Sequence, residues 1–299
     1  MIRGHCTMIG DRKVGESVRF NDGTEFPLIG MGVMYIPDDK VPAAMREAVD
    51  LGYRAFDTAP VYGNELGTGR GIRECGLPRD QVSVTTKLWN AYQGYDEALK
   101  ACDASLGRLG LDYIDLYVIH WPVPSLDRYV ESWKALVRLK EEGKVRSIGV
   151  SNFLEPHLER IVDATGVVPA INQVEMHPSW QRRDLRAVHD RLGIVTEAWS
   201  PLGRGGTLED PRVTAVAERI GCSPAQLVLA WLTQKGVVVI PKASSRAHLK
   251  DNIDSLKLKL DAEAVAALDA LDDPNGSMGP DPATFAMIED PFASRQRAG

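Results

Sequence analysis

From about residue 28 the chain alternates between short apolar, β-branched runs and longer stretches with apolar residues at i, i+3, i+4 and i+7. The short runs are PLIGMGV (27–33), RAFDT (54–58), VSVTTKL (82–88), YIDLYVIH (113–120), VRSIGVSN (145–152), AINQVE (170–175), IVTEAWS (194–200) and VVVIP (237–241). Each is short enough and β-branched enough to read as a strand. Between them VPAAMREAVDLG, YDEALKACDASLGRLG, DRYVESWKALVRLKEEG, EPHLERIVDATG, RRDLRAVHDRLG and SPAQLVLAWLTQKG read as helices, several stopping at a glycine such as Gly110, Gly143 or Gly193. Ser223 followed by Pro224 is a strong start signal for the last of these.

Strands that are apolar throughout and alternate with helices predict a parallel sheet covered by helices. Eight of them, with no break in composition, predict an α/β fold of the (β/α)8 TIM barrel type, one domain over residues 18–299. Ahead of it, VRFNDGTEFP carries Asn21-Asp22-Gly23, the signature of a hairpin turn, and a hairpin there would close the bottom of the barrel. Residues 1–17 read as an extension, and the Pro- and Gly-rich stretch from about 274 reads as a loop-like tail. The rival is a doubly wound dinucleotide fold, which needs GxGxxG between a strand and a helix. Gly67-Thr68-Gly69-Arg70-Gly71-Ile72 fails at the last glycine and follows no strand, and GRGG at 203–206 fails too.

Composition narrows the partners. A net charge of -6 with no stretch dense in Lys or Arg argues against nucleic acid and anionic membranes. No apolar run reaches the length of a membrane span, and the polar N-terminus lacks the apolar core of a signal peptide. Cys6, Cys75, Cys102 and Cys222 are far apart with no CxxC spacing, which suits reduced thiols and a cytoplasmic location.

Chemistry in such a barrel belongs at the C-terminal ends of the strands. Asp57, Lys87, His120 and Glu175 stand there, with Tyr62 just beyond the first. Singly, each has a plain explanation: Asp57 as a turn cap, Lys87 with its head in water, His120 as a satisfied half-buried ring, Tyr62 as rim packing. Glu175 and His177 have no diagnostic metal spacing, so no metal is expected. Jointly, the residues suggest a proton-transfer site. A free phenol titrates near pH 10; an ammonium beside it favours phenolate, and a carboxylate keeps that ammonium charged. Asp57, Lys87 and Tyr62 thus have a physical order, while neutral His120 orients a substrate oxygen. A carbonyl receiving hydride is the obvious recipient of the proton.

At this point DTAPVYGNE, TKLWN, LYVIHWP, RSIGVSNF, INQVEMHP, AWSPLG and VVVIPKASS resemble, in order and spacing, the motifs of the aldo-keto reductase family. The resemblance covers nearly the whole chain. It implies a (β/α)8 barrel that binds NADPH in extended form, with Asp57, Tyr62, Lys87 and His120 as the catalytic tetrad and Tyr62 as general acid. By the same resemblance Ser151, Asn152 and Gln173 hold the nicotinamide carboxamide, Trp199 stacks on the ring, and Ser200, Leu202 and Gly203 line the pyrophosphate. The resemblance also implies that Lys242, Ser244 and Ser245 meet the 2′-phosphate, with Asp251 and Asn252 near the adenine, and Arg246 leaves a second cation nearby. His248 stands where the family usually has arginine, which leaves NADH possible. Trp199 replaces the family's commoner tyrosine. Met34, Trp89 and Trp121 are expected to form an apolar mouth around a small carbonyl substrate, open on the side of the short WPVPSL connection. A monomer is the expected state. Two other readings stand beside this one: Lys87 as a Schiff-base nucleophile, which requires that it lack a carboxylate partner, and a barrel that binds nucleotide only to sense it.

Overall fold

The computed structural model describes residues 17–243 and 245–289. The expected hairpin is β1 (Ser17–Arg19) with β2 (Glu25–Pro27), paired antiparallel around Gly23, whose φ of 89° only glycine adopts freely. Eight parallel strands follow: β3 (Met31–Gly32), β4 (Ala55–Asp57), β5 (Ser83–Leu88), β6 (Ile114–Ile119), β7 (Val145–Ser151), β8 (Ile171–Glu175), β9 (Val195–Trp199) and β10 (Val238–Val239). They lie side by side in chain order. Bridges from Ile29 to Val239 and from Gly32 to Lys242 join the first to the last, so the sheet curls closed. All eight expected strands are present, and the dinucleotide fold is excluded.

Helices clothe the outside: α1 (Val41–Asp50), α2 (Glu65–Glu74), α3 (Tyr95–Leu109), α4 (Tyr129–Glu141), α5 (Glu155–Thr165), α6 (Arg183–Leu192), α7 (Gly206–Glu209), α8 (Pro211–Ile220), α9 (Pro224–Gln234), α10 (Arg246–Asp254) and α11 (Ala262–Asp269). The start of α9 is a full capping box, with Ser223 Oγ accepting from Gln226 N and Gln226 Oε1 accepting from Ser223 N. The failed fingerprint GTGRG proves to be the body of α2. A Cβ on Gly67 would lie 2.0 Å from the Asp38 carbonyl oxygen, and one on Gly69 would lie 1.8 Å from that of Leu109. These glycines let the helix pack closely; they cradle no phosphate.

Two apolar layers hold the fold. The larger lies between sheet and helices. The smaller fills the bottom of the barrel, where Phe20, Phe26 and Leu28 pack on Leu116, Val118, Ala170, Ile171 and Val238. The hairpin therefore plugs the lower end, as its sequence suggests, and Asp22 ties it down by accepting from Lys140 Nζ (2.5 Å) and Ser147 Oγ (2.9 Å). With the bottom filled, the upper end is where solutes meet the barrel. The expected N-terminal extension lies outside the described residues, apart from Ser17 in β1.

Candidate active site

Asp57 is the last residue of β4, and its register partner on β5 is Thr85. Side chains alternate along a strand, so Lys87, two residues on, faces the same way as Thr85. The result is a buried ion pair: Lys87 Nζ donates to Asp57 Oδ1 at 2.5 Å and to the Thr58 carbonyl oxygen at 3.0 Å, and the lysine side chain is wholly enclosed. Tyr62 closes a one-turn helix, Pro60–Tyr62, which ends at Gly63. Asn64 fixes that turn by accepting from Thr58 Oγ1 and donating to the carbonyls of Val33 and Ile36. This places the tyrosine ring 5.1 Å from Lys87 Nζ, with a hydrogen bond between the two side chains. His120, just past β6, meets Tyr62 edge-on at 6.1 Å and Trp89 at 5.2 Å between ring centroids. The four tetrad candidates from four separate segments are thus brought together.

Charge follows from burial and pairing. Desolvation pulls the Lys87 ammonium toward neutrality, but Asp57 and Tyr62 overcome it and hold its pKa above the ordinary value. That removes the Schiff-base reading, because a buried lysine paired at 2.5 Å remains an ammonium. Desolvation and Lys87 together keep His120 well below the usual histidine range, hence neutral. For Tyr62 the outcome differs from expectation. Desolvation raises the phenol above its ordinary value and outweighs the downward pull of Lys87. Lys87 lowers the cost of phenolate without bringing the resting phenol into the neutral range.

Beside the tetrad, polar side chains emerge in register from β7 and β8, where Ser151 lies opposite Gln173. Ser151 Oγ donates to the Gln173 carbonyl oxygen at 2.8 Å, and Asn152 Nδ2 donates to the His120 carbonyl oxygen at 3.0 Å. Trp199 Nε1 donates to Asn152 Oδ1 at 2.8 Å, so its indole stands over this cluster at the end of β9. Gln173 Nε2 donates inward to Asp57 Oδ2 and to Glu197 Oε2. Among the described residues nothing donates to Gln173 Oε1, an acceptor suited to the NH2 of a planar amide. Ser200 and Leu202 are partly exposed on the following turn, and Gly203 is buried there. Further round, Lys242, Ser245, Arg246 and His248 are exposed at the start of α10, where Ser245 Oγ caps the helix by accepting from His248 N. Ser244 lies outside the described residues. Asp251 accepts from Ser223 Oγ and Asn252 is buried, so Asp251 is already engaged within the protein.

At the mouth Trp89, Trp121, Ala59, Val61 and Val123 cluster against Tyr62 and Trp199; Met34, half-buried just past β3, lies outside that cluster. The tail corrects the expectation of an open rim. Phe285 packs on Trp121 at 4.3 Å between centroids, Trp89 Nε1 donates to the Ile288 carbonyl oxygen, and Asn90 Nδ2 donates to that of Met287. Glu175 anchors the same tail by accepting from Ser277 Oγ, Met278 N and Gly279 N, and it also meets His177 Nε2 at 3.2 Å. Burial would raise the Glu175 pKa, but His177 and the tail amides hold it below the ordinary carboxylate value. Its strand-end position thus serves the tail. The sequence reading also missed Glu197, a second carboxyl inside the barrel; a glutamate within IVTEAWS was the available signal. Desolvation and the neighbouring Asp57 push its pKa up to about 8.

A closed parallel barrel carrying a buried carboxylate–ammonium pair, a phenol and a neutral imidazole at its mouth is the architecture of a barrel oxidoreductase. The sequence model of the Aldo/keto reductase family matches residues 28–273. An aldo-keto reductase of Mycobacterium sp. (strain KMS) is 48% identical over 268 residues, covering 90% of this chain and 97% of that one. The methylglyoxal reductase DkgA of Escherichia coli O157:H7 is 41% identical, covering 90% and 97%. Among solved structures, a mutant of Gox0644 in complex with NADPH aligns with a TM-score of 0.88 at 46% identity, covering 91% of this chain and 99% of that one. The chain belongs to the aldo/keto reductase family.

Proposed function

We propose that the protein reduces aldehydes or ketones to alcohols with NADPH, Tyr62 supplying the proton. The observation that carries this reading is the enclosure of Lys87 Nζ between Asp57 Oδ1 and the ring of Tyr62, with neutral His120 beside them. NADPH, when bound, supplies a hydride to the carbonyl carbon. As that carbon gains the electron pair, its oxygen becomes an alkoxide, a stronger base than phenolate. Tyr62 can therefore act although burial keeps its phenol protonated: it hands its O–H proton to the alkoxide, and the Lys87 ammonium stabilises the phenolate left behind. Asp57 keeps that ammonium in place. His120, uncharged, orients the carbonyl oxygen by hydrogen bonding. In the reverse direction the same phenolate takes the alcohol proton.

The residues available fit the cofactor. Gln173, Asn152 and Ser151 would meet the carboxamide, with Gln173 Oε1 as an acceptor for its NH2, and Trp199 would stack on the ring. Lys242 and Arg246 offer two cations to a 2′-phosphate, which favours NADPH over NADH. The names of similar proteins, a methylglyoxal reductase and an NADPH complex, point the same way. The test follows NADPH and NADH oxidation over a panel of aldehydes and ketones, with Tyr62→Phe alongside. Turnover should fall by about 10²–10⁴-fold in the variant, with NADPH still bound. Wild-type turnover by Tyr62→Phe would remove Tyr62 as the acid. Binding of NADPH by the wild-type protein without oxidation of any carbonyl would favour the sensing role instead.

A further inference from the structure

Gln173 and Glu197 are register partners on β8 and β9, joined by a hydrogen bond inside the barrel. A side-chain amide has two N–H hydrogens. Here one goes to Asp57 Oδ2 at 3.0 Å and the other to Glu197 Oε2 at 2.9 Å, so a single NH2 group bridges two carboxyls. Glu197 is only 1% exposed, and its second oxygen, Oε1, is buried with no hydrogen-bond partner among the described residues. A buried oxygen left unpaired costs free energy that an apolar strand residue would avoid. Packing alone gives no reason for a carboxyl at this point. The bridge does, because it dictates which way the Gln173 amide faces. Turning that amide over would set its own oxygen against the Asp57 carboxylate, an acceptor with nothing to donate.

We propose that Glu197 is a positioning residue: by accepting from Gln173 it fixes the amide that holds Asp57 Oδ2 and keeps Gln173 Oε1 toward the carboxamide NH2 of the nicotinamide. The inference rests on the NADPH reading above. The charged groups facing Glu197 are Asp57 from β4 and Lys87 from β5; its neighbours on β8 and β10, Gln173 and Val238, are neutral. One ammonium thus serves two carboxyls. Burial and the Asp57 charge keep a proton on Glu197, so it accepts the amide hydrogen without adding a second negative charge beside Lys87. The field of the ammonium stays available to Tyr62.

The test uses the full chain as wild type, Glu197→Gln and Glu197→Leu. NADPH affinity is read from quenching of tryptophan fluorescence, and kcat and KM are measured across pH. Glu197→Leu should weaken NADPH binding by about tenfold, the equivalent of one lost hydrogen bond, and lower kcat. Glu197→Gln, whose amide oxygen can accept the same bond, should restore affinity to within about twofold. It cannot ionise, so its decline in kcat at alkaline pH should begin higher than in wild type. Wild-type affinity in Glu197→Leu, or equal impairment in both variants, would overturn the proposal. Absence of NADPH binding in the wild type would instead overturn the functional reading beneath it. Should Glu197→Leu fail to fold, melting of the cofactor-free wild type and Glu197→Gln decides. An acid whose folded-state pKa is raised contributes most below the ordinary carboxylate range and loses that contribution as pH rises. Glu197→Gln should therefore gain on wild type from about pH 5 to pH 9; parallel curves would sink the idea.

Discussion

Asp57 and Asp115 look alike in the sequence: each is a single carboxylate in an apolar strand, and each proves buried against a cation. Asp57 ends β4 at the mouth and meets Lys87 Nζ at 2.5 Å. Asp115 is the second residue of β6, toward the bottom, and meets Arg79 Nη2 at 2.6 Å. The surroundings separate them. Asp115 also accepts from Val84 N at 2.9 Å and faces Arg146 at 3.4 Å, while both guanidiniums lie over the Tyr113 ring. Its lone pairs are satisfied by backbone and by half-exposed arginines, so the cluster staples strands together. The cation of Asp57 is wholly enclosed and borders a phenol and an imidazole whose Nδ1 has no hydrogen-bond partner among the described residues. A buried ion pair becomes chemistry when its cation touches something that can exchange a proton.

The largest separation of the two pairs is expected on removing each cation. Lys87→Met should abolish most turnover, by about 10²–10⁴-fold, because Tyr62 loses the charge that stabilises its phenolate. It should also cost about 3–5 kcal/mol of stability, since a buried carboxylate is left unpaired. Arg79→Met should leave kcat unchanged and cost about 1–2 kcal/mol, because Arg146 and Val84 N still serve Asp115. Turnover and urea unfolding on both variants check this; a large drop in kcat for Arg79→Met would break the distinction.

Neutralising the acids themselves sharpens the same contrast. Asp57→Asn keeps the shape but removes the anchor of Lys87, and kcat should fall by about 10²-fold or more. Asp115→Asn presents an NH2 group to an arginine or to Val84 N, and should cost about 1–3 kcal/mol in unfolding free energy with kcat retained. Equal effects of the two changes on kcat would mean that position along the strand does not decide function.

The sequence carried strand-end positions better than long-range partnerships, for a physical reason. Strand ends in a parallel barrel are marked by the switch from apolar to polar residues, so Asp57, Lys87 and His120 were visible by position alone. Asp115, Glu175 and Glu197 carry equal chemical weight, yet their roles depend on partners 24 to 104 residues away, such as Gln173, Val84 and Gly279. The helix α2 was hidden because glycine lowers helix propensity, and the reason for Gly67 and Gly69 is tertiary contact with Asp38 and Leu109. The tail gave no periodic signal because its residues are placed by Glu175, Trp89 and Asn90 rather than by a regular element. Likewise the rise of the Tyr62 pKa comes from enclosure, which spacing along the chain does not report.

The smallest expected effect extends the comparison to two histidines. His120 stands at the mouth, and His189 lies fully buried behind the sheet against Asn172 and Thr196. Desolvation, then Lys87, keeps His120 well below the ordinary range; desolvation, then Arg182 and Arg186, lowers His189 to about 3. In both cases the folded-state pKa is depressed, so the unfolded chain takes up the proton first. The resulting stability is fully present above about pH 6.5 and is lost as pH falls below it, by up to about 1.4 kcal/mol per pH unit for the enclosed His189. His189→Gln should therefore flatten the acid side of the stability profile, measured by urea unfolding between about pH 7 and pH 5, and leave kcat unchanged. His120→Gln should flatten it to a similar degree, because its folded-state pKa is likewise held well below the usual histidine range, and should also lower kcat. If the acid slope of His189→Gln matched that of wild type, burial would not be what denies these rings their proton, and the neutral state assigned to His120 would lose its physical basis.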